Sequence, residues 1–149
     1  MASAPEKRTP MTTATTSTTS GLFSDGPRFL RLALRADAIV TGANGLLYLA
    51  LAAPLKDLLG LDTTTGRELG AFLVVYAVAV WAISMSAHPK RLAVTAVVEA
   101  NALWTILSIT TAIVGWFSLT TAGTVWTLLQ AIVVAAFGTL QYTALRRTR

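Results

Sequence analysis

The chain falls into two materials. Residues 1–28 alternate between hydroxyl-bearing, small and charged residues with no apolar period, and "TPMTTATTSTTS" (Thr9–Ser20) is typical of them. Such a stretch cannot bury enough apolar surface to offset the entropy of ordering it, so it reads as a disordered cytoplasmic tail. From residue 29 to 147 four apolar blocks follow, at about 34–53, 69–87, 92–117 and 123–145. A helix needs about 20 apolar residues at 1.5 Å each to cross the hydrocarbon core of a bilayer. Each block is apolar all round, without the polar face that a water-facing helix keeps. The pattern therefore predicts an all-α polytopic membrane protein with four transmembrane helices. Pro54 disturbs the end of the first block, and His88-Pro89 stops the second, because a residue before proline disfavours α. Between the first two blocks, "LKDLLGLD" (Leu55–Asp62) reads as a short amphipathic element at the interface.

Composition agrees. Hydrophobic residues make up 54% and charged residues 13%, where a soluble domain is about a quarter charged. The mean hydropathy is +0.61. The net charge is +5, and its placement is more informative than its size. Ten of the twelve basic residues (Lys7, Arg8, Arg28, Arg31, Arg35, Lys90, Arg91, Arg146, Arg147, Arg149) fall on one side of a four-span layout, and only Lys56 and Arg67 on the other. The positive-inside rule then puts both termini in the cytoplasm of a multi-pass protein of the cell membrane. Basic residues that flank apolar runs point to lipid headgroups rather than nucleic acid. With no cysteine, the chain has no disulfide and no thiol chemistry; with one histidine, His88, it has no bis-histidine haem site. No metal and no cofactor are expected. Ala38–Leu49 followed by Ala50-x-Ala52 could serve as a signal sequence, but the basic region lies some 30 residues into the chain, and Asp37 and Pro54 flank the segment.

A shift of the chain by 57 residues lays "VTGANGL" (Val40–Leu46) on "VVEANAL" (Val97–Leu103) and "TTTG" (Thr63–Gly66) on "TTAG" (Thr120–Gly123), with 7 identities in 27 positions. The unit is one helical hairpin, present twice, and an even number of spans per unit makes the repeat parallel. The first block is then the counterpart of the third, which argues against its cleavage.

Polar residues inside the blocks are the candidate sites, since each costs free energy in lipid unless it faces protein or water. Glu99 lies nine residues beyond Lys90, about 13 Å along a helix. It reads either as a protonation or transport site or as a neutral acid that bonds a neighbouring helix. Asn101 stands only two residues on, about 200° around the helix, and so faces the opposite way. It continues into Thr105 and Ser108 as a polar stripe. A helix with two opposed polar faces must be central in its bundle or meet another subunit. Asn44 is the repeat counterpart of Asn101, whereas Glu99 has Gly42 at its matching position. Asn44, Asn101, Thr105, Ser108, Gln130 and Gln141 read as polar helix-packing residues. Asp37, beside Arg35, reads as part of a local solvated ion pair. Gly123, Thr127, Ala131, Ala135 and Thr139 repeat every fourth position and mark a small-residue packing seam, within the chain or in a homo-oligomer.

On "GANGL", "EANALW" and "TTAGTVW" with Gln130, the chain resembles small four-span bacterial integral membrane proteins of unknown function over about residues 30–145. The resemblance implies four spans and no activity. No nucleotide loop, nucleophile elbow or HExxH motif is present. The expected function is therefore non-catalytic: a structural, accessory or interaction protein whose partners are the bilayer and a second copy or another membrane protein. The alternative is a small proton-coupled transporter or channel that uses Glu99.

Overall fold

The computed structural model describes residues 26–148. The Thr/Ser-rich segment lies outside the described residues; the last residues assigned to it, from Gly26 to Arg28, form the first turn of a helix. Five helices follow one another: α1 (Gly26–Ala50), α2 (Ala52–Leu59), α3 (Thr63–Met85), α4 (Arg91–Val114) and α5 (Thr121–Arg147). Among the described residues every regular element is helical. Helices α3, α4 and α5 are each long and apolar enough to cross a membrane. The bent pair α1–α2 passes the same test when taken together. Three to four crossings are therefore available.

The boundaries have local causes. Pro27 sits in the first turn of α1, where its missing N–H costs nothing. Pro54 acts upstream of itself: its ring clashes with the carbonyl four residues back, that of Ala50. The chain bends by 95° between α1 and α2, and the first long helix ends three residues before the predicted boundary. Gly60, at φ 76°, closes α2, and its N–H donates to the Lys56 carbonyl. Asp62 caps α3 by accepting from the N–H groups of Thr64 (2.9 Å) and Thr65 (3.5 Å). Those N–H groups hold its carboxyl below the ordinary aspartate value. Thr120 joins two elements. Its hydroxyl donates to the Leu58 carbonyl at the end of α2 and accepts from Gly123 N–H in the first turn of α5.

Helix α1 packs most extensively on α3, and α4 on α5; α1 also lies along α5, while α3 and α4 barely touch. The α1–α3 crossing is held at backbone distance by glycine. A Cβ on Gly45 would stand 2.8 Å from the Gly70 carbonyl oxygen, and one on Gly70 2.8 Å from that of Gly45. Leu30, Leu34, Ala38, Val80, Val94, Val97, Ala144 and Leu145 form an apolar cluster towards the chain termini. Tyr48, Leu59, Leu61 and Leu73 form a second one, with Trp104 and Trp126 against it, at the opposite end. Outward positions are apolar as well; Leu92, for example, is 83% exposed. That is the surface expected of helices whose surroundings are lipid.

Candidate functional site

Between the two apolar clusters lies a layer that is neither apolar nor solid. At its base is Asp37 of α1, wholly inaccessible to solvent. A carboxylate only accepts, and here neutral donors surround it. Thr41 Oγ1, one turn on along α1, donates to Oδ1 (3.0 Å). Asn101 Nδ2 from α4 and Gln141 Nε2 from α5 both donate to Oδ2, at 2.9 and 2.7 Å. Asn101 Nδ2 also donates to Gln141 Oε1 at 3.0 Å, and Tyr76 of α3 donates its hydroxyl to Asn101 Oδ1 at 2.9 Å. All four long helices thus meet through one connected network. Asn101 is its hub, and both amides are buried: Asn101 is 3% and Gln141 0% exposed. The solvated ion pair expected of Asp37 and Arg35 is not formed. Two residues apart on a helix, the two side chains point about 200° away from each other. Asp37 turns inward while Arg35 lies over Trp81 of α3.

A second network sits closer to α2. Asn44 Nδ2 donates to Gln130 Oε1 (3.0 Å), Gln130 Nε2 to the Tyr48 hydroxyl (3.0 Å), and Trp126 Nε1 to the same hydroxyl (3.1 Å).

The two networks bound a cavity of about 450 Å³, lined by all four long helices. Its polar lining comes from Thr41, Asn44, Asn101, Gln130 and Tyr76, and its aromatic walls from Phe72, Tyr76, Trp104 and Trp126. Phe72 and Trp104 stack at 5.9 Å between centroids. The remaining lining is aliphatic. A second cavity of about 260 Å³ adjoins it under α2 and shares Trp104, Trp126 and Gln130 with the first. The first cavity opens onto the flank of the bundle, where its lining residues Val40, Phe72, Leu129 and Val133 are exposed; its volume suits a small molecule, and an apolar cleft with a few placed polar groups is the usual form of such sites.

Known proteins offer no guide to its occupant. Neither the family models, nor the curated proteins, nor the solved structures contain a match to this chain.

The predicted polar residues divide. Asn44, Asn101 and Gln130 line the first cavity, and Gln141 completes the network behind it. Thr105 donates its hydroxyl back to the Asn101 carbonyl within α4 (2.8 Å), and Ser108 lines the second cavity. Glu99 lies elsewhere: its side chain is exposed on the opposite face of α4 and lines neither cavity. The seam on α5 is buried at Gly123 and Ala131 and half-buried at Thr127 and Ala135, but Thr139 is exposed and donates to the Ala135 carbonyl of its own helix. A strict step of four drifts about 40° around the helix each time. Gly138 takes over the buried line there, where a Cβ would stand 3.4 Å from that of Asn101. Among the described residues no group of three or more metal-ligating side chains gathers.

Proposed function

We propose that this is an integral membrane protein of four spans, with the bent α1–α2 pair as the first, which acts without catalysis by holding a small, mostly apolar molecule inside its helix bundle. The cavity carries this reading. It lies at mid-bundle, all four long helices contribute to its wall, and most of its polar groups are bonded to one another, with Asn44 Oδ1 buried and without a partner. Four spans with both termini in the cytoplasm are supported by the charge bias along the sequence, since α1 starts, α3 ends, α4 starts and α5 ends on the same side. The pairing of α1 with α3 and of α4 with α5 supports two tandem hairpins, and Asn44 and Asn101, equivalent under the 57-residue shift, face the same cavity. The bilayer is the first partner; a second copy or another membrane protein would have to meet the outward face of α4, where Glu99 stands. The transport reading built on Glu99 is less well supported, because that carboxylate is remote from the cavity lining.

Binding is tested with anthracene, a neutral aromatic that accepts excitation energy from tryptophan. Trp104 and Trp126 are in the wall, so the purified protein should show energy transfer that saturates at one anthracene per chain above the linear micelle background. Ala100→Phe, which drives a ring into the cavity without removing a hydrogen bond, should weaken the saturable part. Transfer that stays linear in the unaltered protein, or is unchanged by Ala100→Phe, contradicts the reading.

A further inference from the structure

We propose that Arg31 and Arg35 form a binding site for a phosphate group on the α1–α3 flank, at the end of the bundle that carries the chain termini. The two residues are one helical turn apart and share a face of α1. Both are half-buried, and both are held against α3 by contacts that leave most of their N–H groups unused. Arg31 donates its Nε to the Ser84 carbonyl at 3.1 Å, which occupies one of its donors. Arg35 places its guanidinium 5.9 Å from the centroid of the Trp81 ring. Its Nε is buried and has no hydrogen-bond partner. The nearest carboxylate in the sequence, Asp37, accepts its hydrogen bonds from Thr41, Asn101 and Gln141 instead.

A buried donor with no acceptor is costly, and two unpaired guanidinium groups side by side repel. The repulsion ends when an oxyanion with several acceptor oxygens binds their terminal N–H groups, which unlike the Arg35 Nε are not buried without a partner. The forked, planar guanidinium matches phosphate geometry in two-bonded fashion, which an ammonium does not. The position also suits it. Ser84 is one residue from the end of α3, and Lys90 and Arg91 open α4 at the same end. That is the border of the apolar region, where the phosphate of a phospholipid resides and where basic residues gather on the cytoplasmic side. A lipid headgroup and free phosphate present the same oxyanion. The site rests on the membrane-spanning reading and does not depend on the cavity having an occupant.

The test is the thermal unfolding of the purified full chain in neutral detergent with added phosphatidylglycerol, phosphatidylcholine or inorganic phosphate. Phosphatidylglycerol should raise the midpoint by several degrees at amounts where phosphatidylcholine, whose choline offsets the phosphate charge, does not. The shift should vanish in Arg31→Gln/Arg35→Gln and persist in Arg146→Gln/Arg147→Gln. Arg35→Lys keeps the charge but loses the fork, and should weaken phosphatidylglycerol about tenfold while leaving the lipid-free midpoint in place; it carries the test if the double variant does not fold. A saturable shift with inorganic phosphate alone, lost in the same variants, supports the site and names free phosphate as its ligand. The proposal is overturned if the two lipids act alike and inorganic phosphate gives no saturable shift, if the double variant keeps the shift, if the carboxy-terminal pair is needed as much as the α1 pair, or if Arg35→Lys binds with full affinity.

Discussion

Replacing Asn101 with leucine removes the hub of the buried network while keeping the branching and heavy-atom count of the side chain, so lost hydrogen bonds dominate and the bulkier methyls add only to the damage. Three bonds go: the two donated by Nδ2 to Asp37 and Gln141, and the one accepted from Tyr76. Side-chain hydrogen bonds between membrane helices average about 0.6 kcal/mol each, which sets a floor of about 2 kcal/mol. The real loss should exceed it, because a buried acceptor left unmet costs about 1–3 kcal/mol more. Relief is partial. Asp37 keeps Thr41 and Gln141, and the Tyr76 hydroxyl retains a long contact of 3.4 Å to the Val97 carbonyl. A destabilisation of about 2–4 kcal/mol results. The repeat-related change Asn44→Leu breaks only the bond to Gln130 and should cost about 0.6 kcal/mol. Both are measured by reversible unfolding in mixed micelles of rising dodecyl sulfate content, followed by tryptophan emission. The reasoning is refuted if Asn101→Leu is no more damaging than Asn44→Leu.

Gly45→Val should lower stability by about 1–3 kcal/mol in the same titration, since its side chain would drive α1 from the Gly70 backbone; a neutral result would mean that the crossing can open freely. Glu99→Gln should leave saturable anthracene transfer as it was, because the residue lines neither cavity, and loss of transfer would tie the outer face of α4 to the binding site. Asp62 should titrate below the ordinary value of 3.8 in carbon-detected NMR, the main cause being the Thr64 and Thr65 N–H groups that it caps. With the folded value depressed, its contribution to stability is complete above the unfolded value and fades as pH falls through the folded one; a midpoint at or above 3.8 would remove the cap.

Much of this architecture could be read from residues, and the misses have physical reasons. Apolar blocks of bilayer length became helices; α1 and α3 start eight and six residues before the predicted limits, and every other end falls within three. The two-residue spacing of Glu99 and Asn101 separated an outward carboxylate from an inward amide, since helical geometry alone puts them on opposite faces. The same angle, applied to Arg35 and Asp37, was the available signal that these two could not pair, and Asp37, Thr41 and Asn44 share the face that turned inward. Tyr48 falls on the same stripe of the first block; the roles of Tyr76 and Trp126 were not legible, since each completes a network with a residue at least 25 positions away, and nothing local marks such a partner. The close crossing of α1 and α3 left little mark: it rests on Gly45 and Gly70, 25 positions apart in the chain, and Gly66, one turn before Gly70, meets only Leu61. The α5 seam positions Gly123 to Ala135 are buried or half-buried, and Thr139 is exposed because a step of four drifts out of phase with 3.6 residues per turn.

Photolabelling tests the central claim most directly. The protein in lipid nanodiscs is irradiated with a small apolar diazirine, with and without excess anthracene, and the adducts are located by mass spectrometry. A molecule held inside the bundle predicts adducts on Leu47, Leu73, Ala100 and Val134, one from each long helix, that anthracene suppresses, while adducts on outward residues such as Leu92 and Ile113 persist. Adducts confined to the outward residues, or cavity adducts that anthracene leaves untouched, would contradict it.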